Sequence, residues 1–194
     1  MIRKIRIGMV GGGEGAFIGA VHRIALRLDY HYDLVAGCFS SNYDNSKKTG
    51  ANLGLSKDRI YKTYQEMAEK EAARSDKIDV VSIVTPNHLH FPIAKKFAEK
   101  GIHIICDKPL AHSSEEANEL KNIIENKRLI FALTYNYTGY PMVRHARSLI
   151  KSGDLGSIRV IQAEYSQDWL TNKVEDSGLK QAVWRTDPKR SGTG

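Results

Sequence analysis

The stretch that decides the fold is residues 5–19, IRIGMVGGGEGAFIG, near the start of a chain of 194 residues. Residues 5–10 form a short run of mostly apolar side chains, which predicts a buried β-strand. From Ile18 onwards, apolar residues recur at steps of three and four, which predicts a helix. The glycines between these two elements allow the backbone to approach a phosphate group at the N-terminus of the helix. This arrangement predicts the first β-α unit of a dinucleotide-binding fold.

The glycine turn permits two registers. Counted from Gly11 it satisfies the pattern G-x-G-x-x-A, whereas Gly19 can supply the close contact between helix and strand instead. A flexible turn that binds nothing is the alternative to both. On the binding interpretation, we expect the cofactor to contact the turn and the start of the helix, at Gly11, Gly13, Gly15, Ala16, Phe17 and Ile18.

Short apolar runs and stretches of helical spacing alternate along most of the chain, which is typical of β-α-β units with a parallel sheet. We expect the first helix to bury one stripe of side chains. We predict further strands at 34–38, 80–84, 102–106 and 129–133, and a short strand remnant at 60–61, with helices between the strands. The predicted fold class is therefore α/β, with the doubly wound parallel sheet of the NAD(P)-binding Rossmann fold. The expected buried stripe consists of Ile18, Val21, Ala25 and Leu28.

The pattern changes after about residue 155. A long predicted strand, 158–165, is followed by a polar stretch without clear periodicity. We predict a dinucleotide-binding Rossmann domain over residues 1–155 and the truncated start of a second domain over residues 156–194; a family resemblance, carried by the motifs described below, implies that this second domain is an α/β domain for substrate binding and oligomerisation. The apolar face of strand 158–165 would be bare in a monomer, so we expect the complete protein to form homo-oligomers.

The composition is that of an ordinary globular protein, with 29 basic residues, 22 acidic residues and 41% hydrophobic residues. The basic residues alternate with acidic ones, which argues against a nucleic-acid-binding surface. Neither a disulfide framework nor a metal site is predicted, because the two cysteines end apolar runs and lack the necessary spacing. No apolar run is long enough to span a membrane and no leader pattern precedes residue 5, so we expect a cytoplasmic protein without membrane contact.

The second predicted strand ends without the acidic residue that commonly binds the ribose hydroxyls of a dinucleotide. Phe39, Ser40 and Ser41 stand at that place, with Lys47 and Lys48 a few residues further on. Since no carboxylate there would repel a 2′-phosphate, we expect Ser40 and Ser41 to contact a cofactor that is NAD or NADP, with NADP tolerated. The alternative is that the serines only cap the next helix.

Two further candidate loops follow central strands. Residues 85–90, Thr-Pro-Asn-His-Leu-His, come directly after the strand 80–84, and Asp107, Lys108 and Pro109 come after the strand 102–106. Both loops should line the ligand crevice, because the carboxyl ends of the strands border it in an open α/β sheet. Lys108 is well placed for proton transfer, since it stands at such a strand end between an acid and a proline.

Five segments are typical of one enzyme family when they occur together. They are the glycine turn with Gly19-Ala20-Val21-His22, Val84-Thr85-Pro86-Asn87 with His90, Gly101 through Asp107-Lys108-Pro109-Leu110, Tyr135-Asn136-Tyr137, and Trp184-Arg185-Thr186-Asp187-Pro188. With these segments, essentially the whole chain resembles the N-terminal part of a member of the glucose-fructose oxidoreductase, inositol dehydrogenase and MocA (Gfo/Idh/MocA) family.

The resemblance implies an oxidoreductase that transfers a hydride between a nicotinamide cofactor and a small-molecule substrate, which is a sugar, a polyol or a related hydroxy compound. It gives the catalytic role to Lys108, beside the nicotinamide and the substrate, and it implies a cis peptide bond before Pro109. Further cofactor contacts follow from the same resemblance, at Thr85, Pro86, Asn87, His90, Asp107, Lys108, Pro109, Asn136, Trp184 and Arg185.

The chain departs from the family pattern in three places. Asp107 stands where relatives commonly have Glu, and the glycine turn is about three residues longer than the common G-x-G-x-x-G-x-x-H spacing. An Asp-x-Gly-x-His segment of the relatives, which supplies further catalytic groups, does not follow within the 194 residues. We therefore expect this chain alone to be inactive. A non-catalytic module that binds or senses NAD(P) is the alternative to an enzyme, because a fold alone does not determine function.

Overall fold

The computed structural model describes residues 3–166, 168, 171–173 and 182–191. Five parallel strands form one sheet in the order β2-β1-β3-β4-β5. The strands are β1 (Ile5–Gly11), β2 (Tyr32–Cys38), β3 (Val80–Val84), β4 (His103–Cys106) and β5 (Phe131–Leu133). β1 lies between β2 and β3 in the sheet, so the chain forms β2 on one side of β1 and then crosses to form β3 on the other side. This reversal of direction places a crevice at the carboxyl ends of β1 and β3.

Helices connect the strands, as the apolar spacing predicts. They are α1 (Phe17–Arg27), α2 (Tyr43–Asn52), α3 (Tyr64–Ala72), α4 (His90–Glu99), α5 (Ser114–Asn126), α6 (Pro141–Ser152), α7 (Ala182–Arg185) and α8 (Pro188–Ser191). Short 3₁₀ helices occur at Lys57–Arg59, Asn87–Leu89 and Asn136–Gly139. The remnant predicted at 60–61 is an isolated parallel bridge between Ile60 and Gly37, outside β2.

Both faces of the sheet are covered, so the doubly wound arrangement is confirmed. Met9 and Val10 are successive residues of β1, and their side chains therefore point to opposite faces. Val10 belongs to a core cluster with side chains of α3, α4 and α5, whereas Met9 belongs to a second cluster against which Ile18 and Leu26 of α1 pack. Every residue of β3 is buried, as a run of four apolar residues and one serine predicts.

The predicted buried stripe of α1 is wrong. Val21 and Leu28 are 43% and 71% exposed, and within α1 only Gly19 is fully buried. The cause is the contact between Gly19 and Gly12, which is so close that a Cβ atom at Gly19 would overlap the backbone of Gly12. This backbone contact sets the rotation of α1 about its axis, and spacing along the sequence carries no information about it.

The described chain divides into two compact units, residues 3–134 with 188–191, and residues 135–187. In the second unit, α6 ends at Gly153, whose φ of +82° is the left-handed conformation of a helix C-terminus. The strand predicted at 158–165 is wrong: these residues form no strand, and Val160 and Ile161 are 84% and 85% exposed. A strand needs a hydrogen-bonded neighbour, and residues 158–165 have none among the residues that the structure describes.

The domain boundary predicted between residues 155 and 156 stays a prediction. Within the described ranges, no helix has both the length and the apolar character that a membrane span requires.

Candidate functional site

Three loops lie side by side at the carboxyl edge of the sheet, because the strands before them are neighbours. Gly11, the last residue of β1, pairs with Val84, the last residue of β3. The N–H of Asp107, directly after β4, donates to the carbonyl of Ile83 at 2.9 Å. The glycine turn, the loop that begins at Thr85 and the loop that contains Lys108 therefore converge, as their positions at strand ends predict.

Only glycine fits several positions of the turn. Gly11, Gly12 and Gly15 have φ angles of +86°, +73° and +81°, which L side chains rarely adopt. A Cβ atom would lie 2.6 Å from the carbonyl oxygen of Val84 at Gly11, and 2.7 Å from that of Phe39 at Gly13. The turn thus runs in close contact with the ends of both neighbouring strands.

The N-terminus of α1 is open to an anion. Ala16 occupies the N-cap position and provides no side-chain hydrogen bond, and the first turn of the helix contains no acidic residue. Phe17 is 69% exposed, while Ile18 packs against the core. Free backbone N–H groups and the helix dipole favour negative charge at such a terminus. A dinucleotide pyrophosphate fits these features.

The loop after β3 contains a second sign of a ligand site. The hydroxyl oxygen of Thr85 is buried and has no hydrogen-bond partner among the described residues. Buried polar atoms are almost always hydrogen-bonded, so an orphaned hydroxyl beside the glycine turn is consistent with a missing partner. Pro86 precedes the 3₁₀ helix Asn87–Leu89, and the side-chain amide of Asn87 donates to the carbonyl of Ser191 at 2.8 Å.

His90 links two of the loops. Its side chain is fully buried, with Nδ1 2.6 Å from the carbonyl oxygen of Pro109 and Nε2 2.9 Å from that of Thr85. Both neighbours are acceptors, so at least one contact is an N–H···O hydrogen bond, whichever ring nitrogen carries a proton. The structure therefore shows His90 holding the loops of Thr85 and Pro109 together, and we expect it to affect a cofactor through these loops.

Lys108 is exposed between two anchored neighbours. The carboxylate of Asp107 accepts a hydrogen bond from Thr134 Oγ1 at 3.0 Å, so the shorter acidic side chain finds a partner within the same unit. The Lys108–Pro109 peptide bond is cis, as the resemblance implies. The ammonium group of Lys108 forms no ion pair with the described residues, and it is available to a ligand. Burial raises the pKa of the adjacent Cys106 thiol, which keeps that thiol protonated and inert.

One polar pair beneath the site was missed from the sequence. His22 Nδ1 of α1 lies 3.1 Å from Ser82 Oγ of β3, and burial lowers the pKa of His22, partly offset by the charge of Asp107. The signal was available, because Ser82 is the single polar residue in the run Val80–Val84. A polar residue on a buried strand requires a partner, and α1 supplies it.

The end of β2 excludes one interpretation of its serines, that they only cap the next helix, while their contact with a cofactor stays a prediction. The hydroxyl oxygen of Ser40 accepts a hydrogen bond from the N–H of Asn42 at 3.1 Å, and Ser41 is exposed. Asn42 itself caps α2, because its side chain accepts from the N–H of Asn45 at 3.1 Å. Ser40 therefore orders the turn before the cap, and neither serine caps the helix directly.

The remaining predicted contacts lie in the second unit. Asn136 begins the 3₁₀ helix Asn136–Gly139, and Trp184 and Arg185 end α7. The guanidinium of Arg185 lies 5.2 Å from the centre of the Trp184 ring, within the range of a cation–π contact. Cofactor binding by these three residues stays a prediction. No group of three or more potential metal ligands occurs in the part of the chain that the structure describes.

Comparisons with known proteins bear on the fold and the family of this chain. The model of the oxidoreductase family with an NAD-binding Rossmann fold matches residues 5–135, and the GFO/IDH/MocA C-terminal domain matches residues 143–194. An uncharacterized oxidoreductase, YfiI of Bacillus subtilis, is 39% identical over 98% of this chain and 49% of its own length. Levoglucosan dehydrogenase of Pseudarthrobacter phenanthrenivorans is 38% identical over 60% of this chain and 29% of its own.

A solved structure of an inositol dehydrogenase homolog from Azotobacter vinelandii, complexed with NAD⁺, is also similar. It superposes with a TM-score of 0.94 at 36% identity, over 99% of this chain and 49% of that one. Nearly the whole of this chain matches YfiI and the inositol dehydrogenase homolog, and the match spans about half the length of each of these relatives. The fold, the glycine turn and the matched family models together show that the chain belongs to the Gfo/Idh/MocA family of NAD-binding oxidoreductases.

Proposed function

We propose that the protein to which this chain belongs is an NAD(P)-dependent dehydrogenase or reductase of a sugar, a polyol or a related hydroxy compound. The observation that carries the proposal is the convergence of the glycine turn, the Thr85 loop and the Lys108 loop at one edge of the sheet. A dinucleotide fits the open α1 terminus and the orphaned Thr85 hydroxyl, and an exposed ammonium group stands at the same edge.

The substrate class rests on the relatives. Levoglucosan, an anhydrosugar, is named as the substrate of one relative, and inositol, a polyol, in the name of another. Both compounds present several hydroxyl groups on a ring, for which a lysine ammonium is a suitable hydrogen-bond donor. We therefore assign a polyhydroxylated ring compound to this protein as the substrate class.

Lys108 holds and moves the proton in this proposal. A bound nicotinamide supplies the chemistry of accepting or donating a hydride. Lys108 Nζ orients the reacting hydroxyl group of the substrate and exchanges a proton with its oxygen. Asp107, fixed by Thr134, and Pro109, fixed by His90, hold the backbone on either side of Lys108, so the ammonium group starts from a defined position.

The other residues of the site bind and orient. The phosphates of the cofactor contact the first turn of α1 and the backbone of Gly11, Gly13, Gly15 and Ala16. The nicotinamide half of the cofactor is bordered by the loop of Thr85, Pro86 and Asn87. Ser40 and Ser41 border the ribose at the end of β2. Asn136, Trp184 and Arg185 complete the list of proposed contacts.

The test is turnover and cofactor binding in the complete protein, measured separately. Lys108→Met should lower the rate of substrate-dependent reduction of NAD⁺ by roughly 10²- to 10⁴-fold, the usual contribution of a general acid or base. The dissociation constant for NAD⁺, measured by calorimetry, should change little. Lys121→Met, which removes an exposed lysine of α5, is the matched control and should leave both quantities unchanged.

A panel of inositols, anhydrosugars and aldoses provides the substrates. A protein that binds NAD⁺ but reduces it with no member of the panel, before and after the substitution, would instead be the non-catalytic binding or sensing module. Unchanged turnover in Lys108→Met would contradict the role of this lysine.

A further inference from the structure

The glycine turn brings an acidic residue to the end of β2. The N–H of Gly13 donates to the carbonyl oxygen of Phe39 at 3.0 Å, so the turn lies against the residue that follows β2. Glu14 is the next residue of the turn. From the sequence, the end of β2 lacks a carboxylate, because Phe39, Ser40 and Ser41 occupy it. In the fold, the turn that follows a different strand brings Glu14 next to this place, with its carboxylate on Lys48 of α2.

Glu14 is anchored on α2 through its backbone. Its N–H is within hydrogen-bond distance of two acceptors, Asn45 Oδ1 at 3.2 Å and Thr49 Oγ1 at 3.1 Å. The amide of Asn45 also donates to the carbonyl of Glu14 at 3.4 Å. The longer turn thus allows Glu14 to reach across to α2. The backbone position of Glu14, from which the carboxylate extends to Lys48, is therefore built into the fold.

Both lysines that could attract a 2′-phosphate already have acidic partners. Lys48 Nζ lies 2.8 Å from a carboxylate oxygen of Glu14, and Lys47 Nζ lies 2.7 Å from one of Asp44. These four side chains have a net charge of zero. A phosphate group, which carries a charge of about −1.5 to −2, would need to displace a carboxylate from a lysine or tolerate repulsion from it.

We propose that Glu14 supplies the acidic group missing from the end of β2 and makes the protein prefer NAD over NADP. The inference rests on the proposed function, since it concerns the cofactor of the same site, and it replaces the expectation that NADP is tolerated. A carboxylate accepts hydrogen bonds from ribose hydroxyls and repels a 2′-phosphate. Lys48 holds the carboxylate in place and at the same time partly shields its charge.

The test is the ratio of the dissociation constants for NAD⁺ and NADP⁺, measured by calorimetry on the complete protein. The wild type should bind NAD⁺ at least tenfold more tightly. Glu14→Gln removes the negative charge and frees Lys48, so affinity for NADP⁺ should rise about tenfold, while affinity for NAD⁺ changes less than about threefold. Lys48→Met should have the opposite effect and weaken NADP⁺ binding further, because it leaves the Glu14 charge unshielded.

Two controls separate charge from structure. Glu119→Gln removes an exposed carboxylate that also pairs with a lysine of a neighbouring helix, Lys95, and should leave both affinities unchanged. At about 1 M salt, where the screening length falls to about 3 Å, the difference between wild type and Glu14→Gln should shrink, which a merely structural effect would not do.

The outcomes distinguish this inference from the proposed function. If the wild type binds NAD⁺ and the NAD⁺/NADP⁺ ratio is the same in Glu14→Gln, or if the wild type prefers NADP⁺, the role of Glu14 is refuted while the proposed function stands. If the wild type binds neither dinucleotide, the proposed function fails and this inference fails with it. If Glu14→Gln does not fold, Lys48→Met still tests the inference, because the inference requires this variant to bind NADP⁺ more weakly than the wild type does.

Discussion

Gly11 shows how one residue can serve the fold and the site at once. It is the last residue of β1 and the first of the turn, and its φ of +86° directs the chain from the sheet towards α1. The missing side chain also permits the contact with the carbonyl of Val84 on the neighbouring strand. Conformational freedom and close approach are two separate requirements, and both are met only by glycine.

A pair of substitutions separates these requirements. Gly11→Ala should lower the free energy of unfolding by more than the roughly 1–2 kcal/mol that a left-handed alanine costs, because its Cβ would also lie 2.6 Å from Val84 O. Gly101→Ala has a similar φ of +73° but no atom within 4 Å of the new Cβ, so it should show the conformational cost alone. Urea unfolding measures the free energy of unfolding of both variants. An equal decrease in the two variants would contradict the overlap at Gly11.

The segment around α3 illustrates how an element is held in place by charge. Glu71 of α3 is fully buried and accepts hydrogen bonds from Arg59 Nη2 at 2.5 Å, Tyr61 OH at 2.7 Å and the N–H of Ile78 at 3.1 Å. Burial, together with the hydrogen bond to Glu71, raises the pKa of Tyr61, so this phenol remains a donor. The carboxylate thereby joins three segments: the 3₁₀ helix Lys57–Arg59, Tyr61 beside the bridge between Ile60 and Gly37, and Ile78 just before β3.

Removal of this charge should be costly. Glu71→Gln keeps the shape but leaves the buried Arg59 guanidinium without its main counter-charge, and we expect a loss of about 3–5 kcal/mol in the free energy of unfolding. Glu69→Gln, on the same helix, breaks only exposed pairs with Lys96 and Lys100 and should have little effect. Chemical denaturation of both variants tests this expectation, and similar stabilities would show that the buried network contributes little.

At the scale of the whole Rossmann unit, the order of the strands assembles the site. β1, β3 and β4 are neighbours in the sheet although α1, α2 and α3 separate β1 from β3 along the chain. His90 then joins the loops after β3 and β4 through the carbonyls of Thr85 and Pro109. The binding edge is therefore a property of the sheet and of one buried imidazole.

Cofactor binding should report on this assembly. At an NAD⁺ concentration 100 times the dissociation constant, the complete wild-type protein should gain about 2.7 kcal/mol of stability. His90→Phe removes the imidazole that joins the part-buried carbonyls of Thr85 and Pro109, which should cost about 1–3 kcal/mol in the free protein and reduce the gain from NAD⁺ as well. The control His31→Phe alters an exposed histidine and should keep the full gain. Thermal unfolding with and without NAD⁺ measures both effects, and a full gain in His90→Phe would contradict the coupling of the loops.

Local patterns predict what depends on local geometry. The start of α5 is one case, because a serine at an N-cap needs only the first turn of its own helix: Ser113 Oγ accepts from the N–H of Glu116 at 3.2 Å. The predicted strand 158–165 and the buried stripe of α1 failed for the opposite reason. Each depended on a neighbour, a pairing strand in one case and the Gly12–Gly19 contact in the other, which the spacing of residues does not encode.

The sequence by itself determined the parallel α/β sheet, the glycine turn and the loops of Thr85 and Lys108. Each of these features depends on signals that extend over only a few residues, namely the period of apolar side chains, the presence of glycine and the point where a strand ends. Only the tertiary structure decided that Glu14 contacts α2, that His90 contacts two loops and that His22 meets Ser82. These contacts join residues from different elements. They form only when the packing of helices on the sheet sets distances and rotations, and that packing is the sum of many non-local contacts.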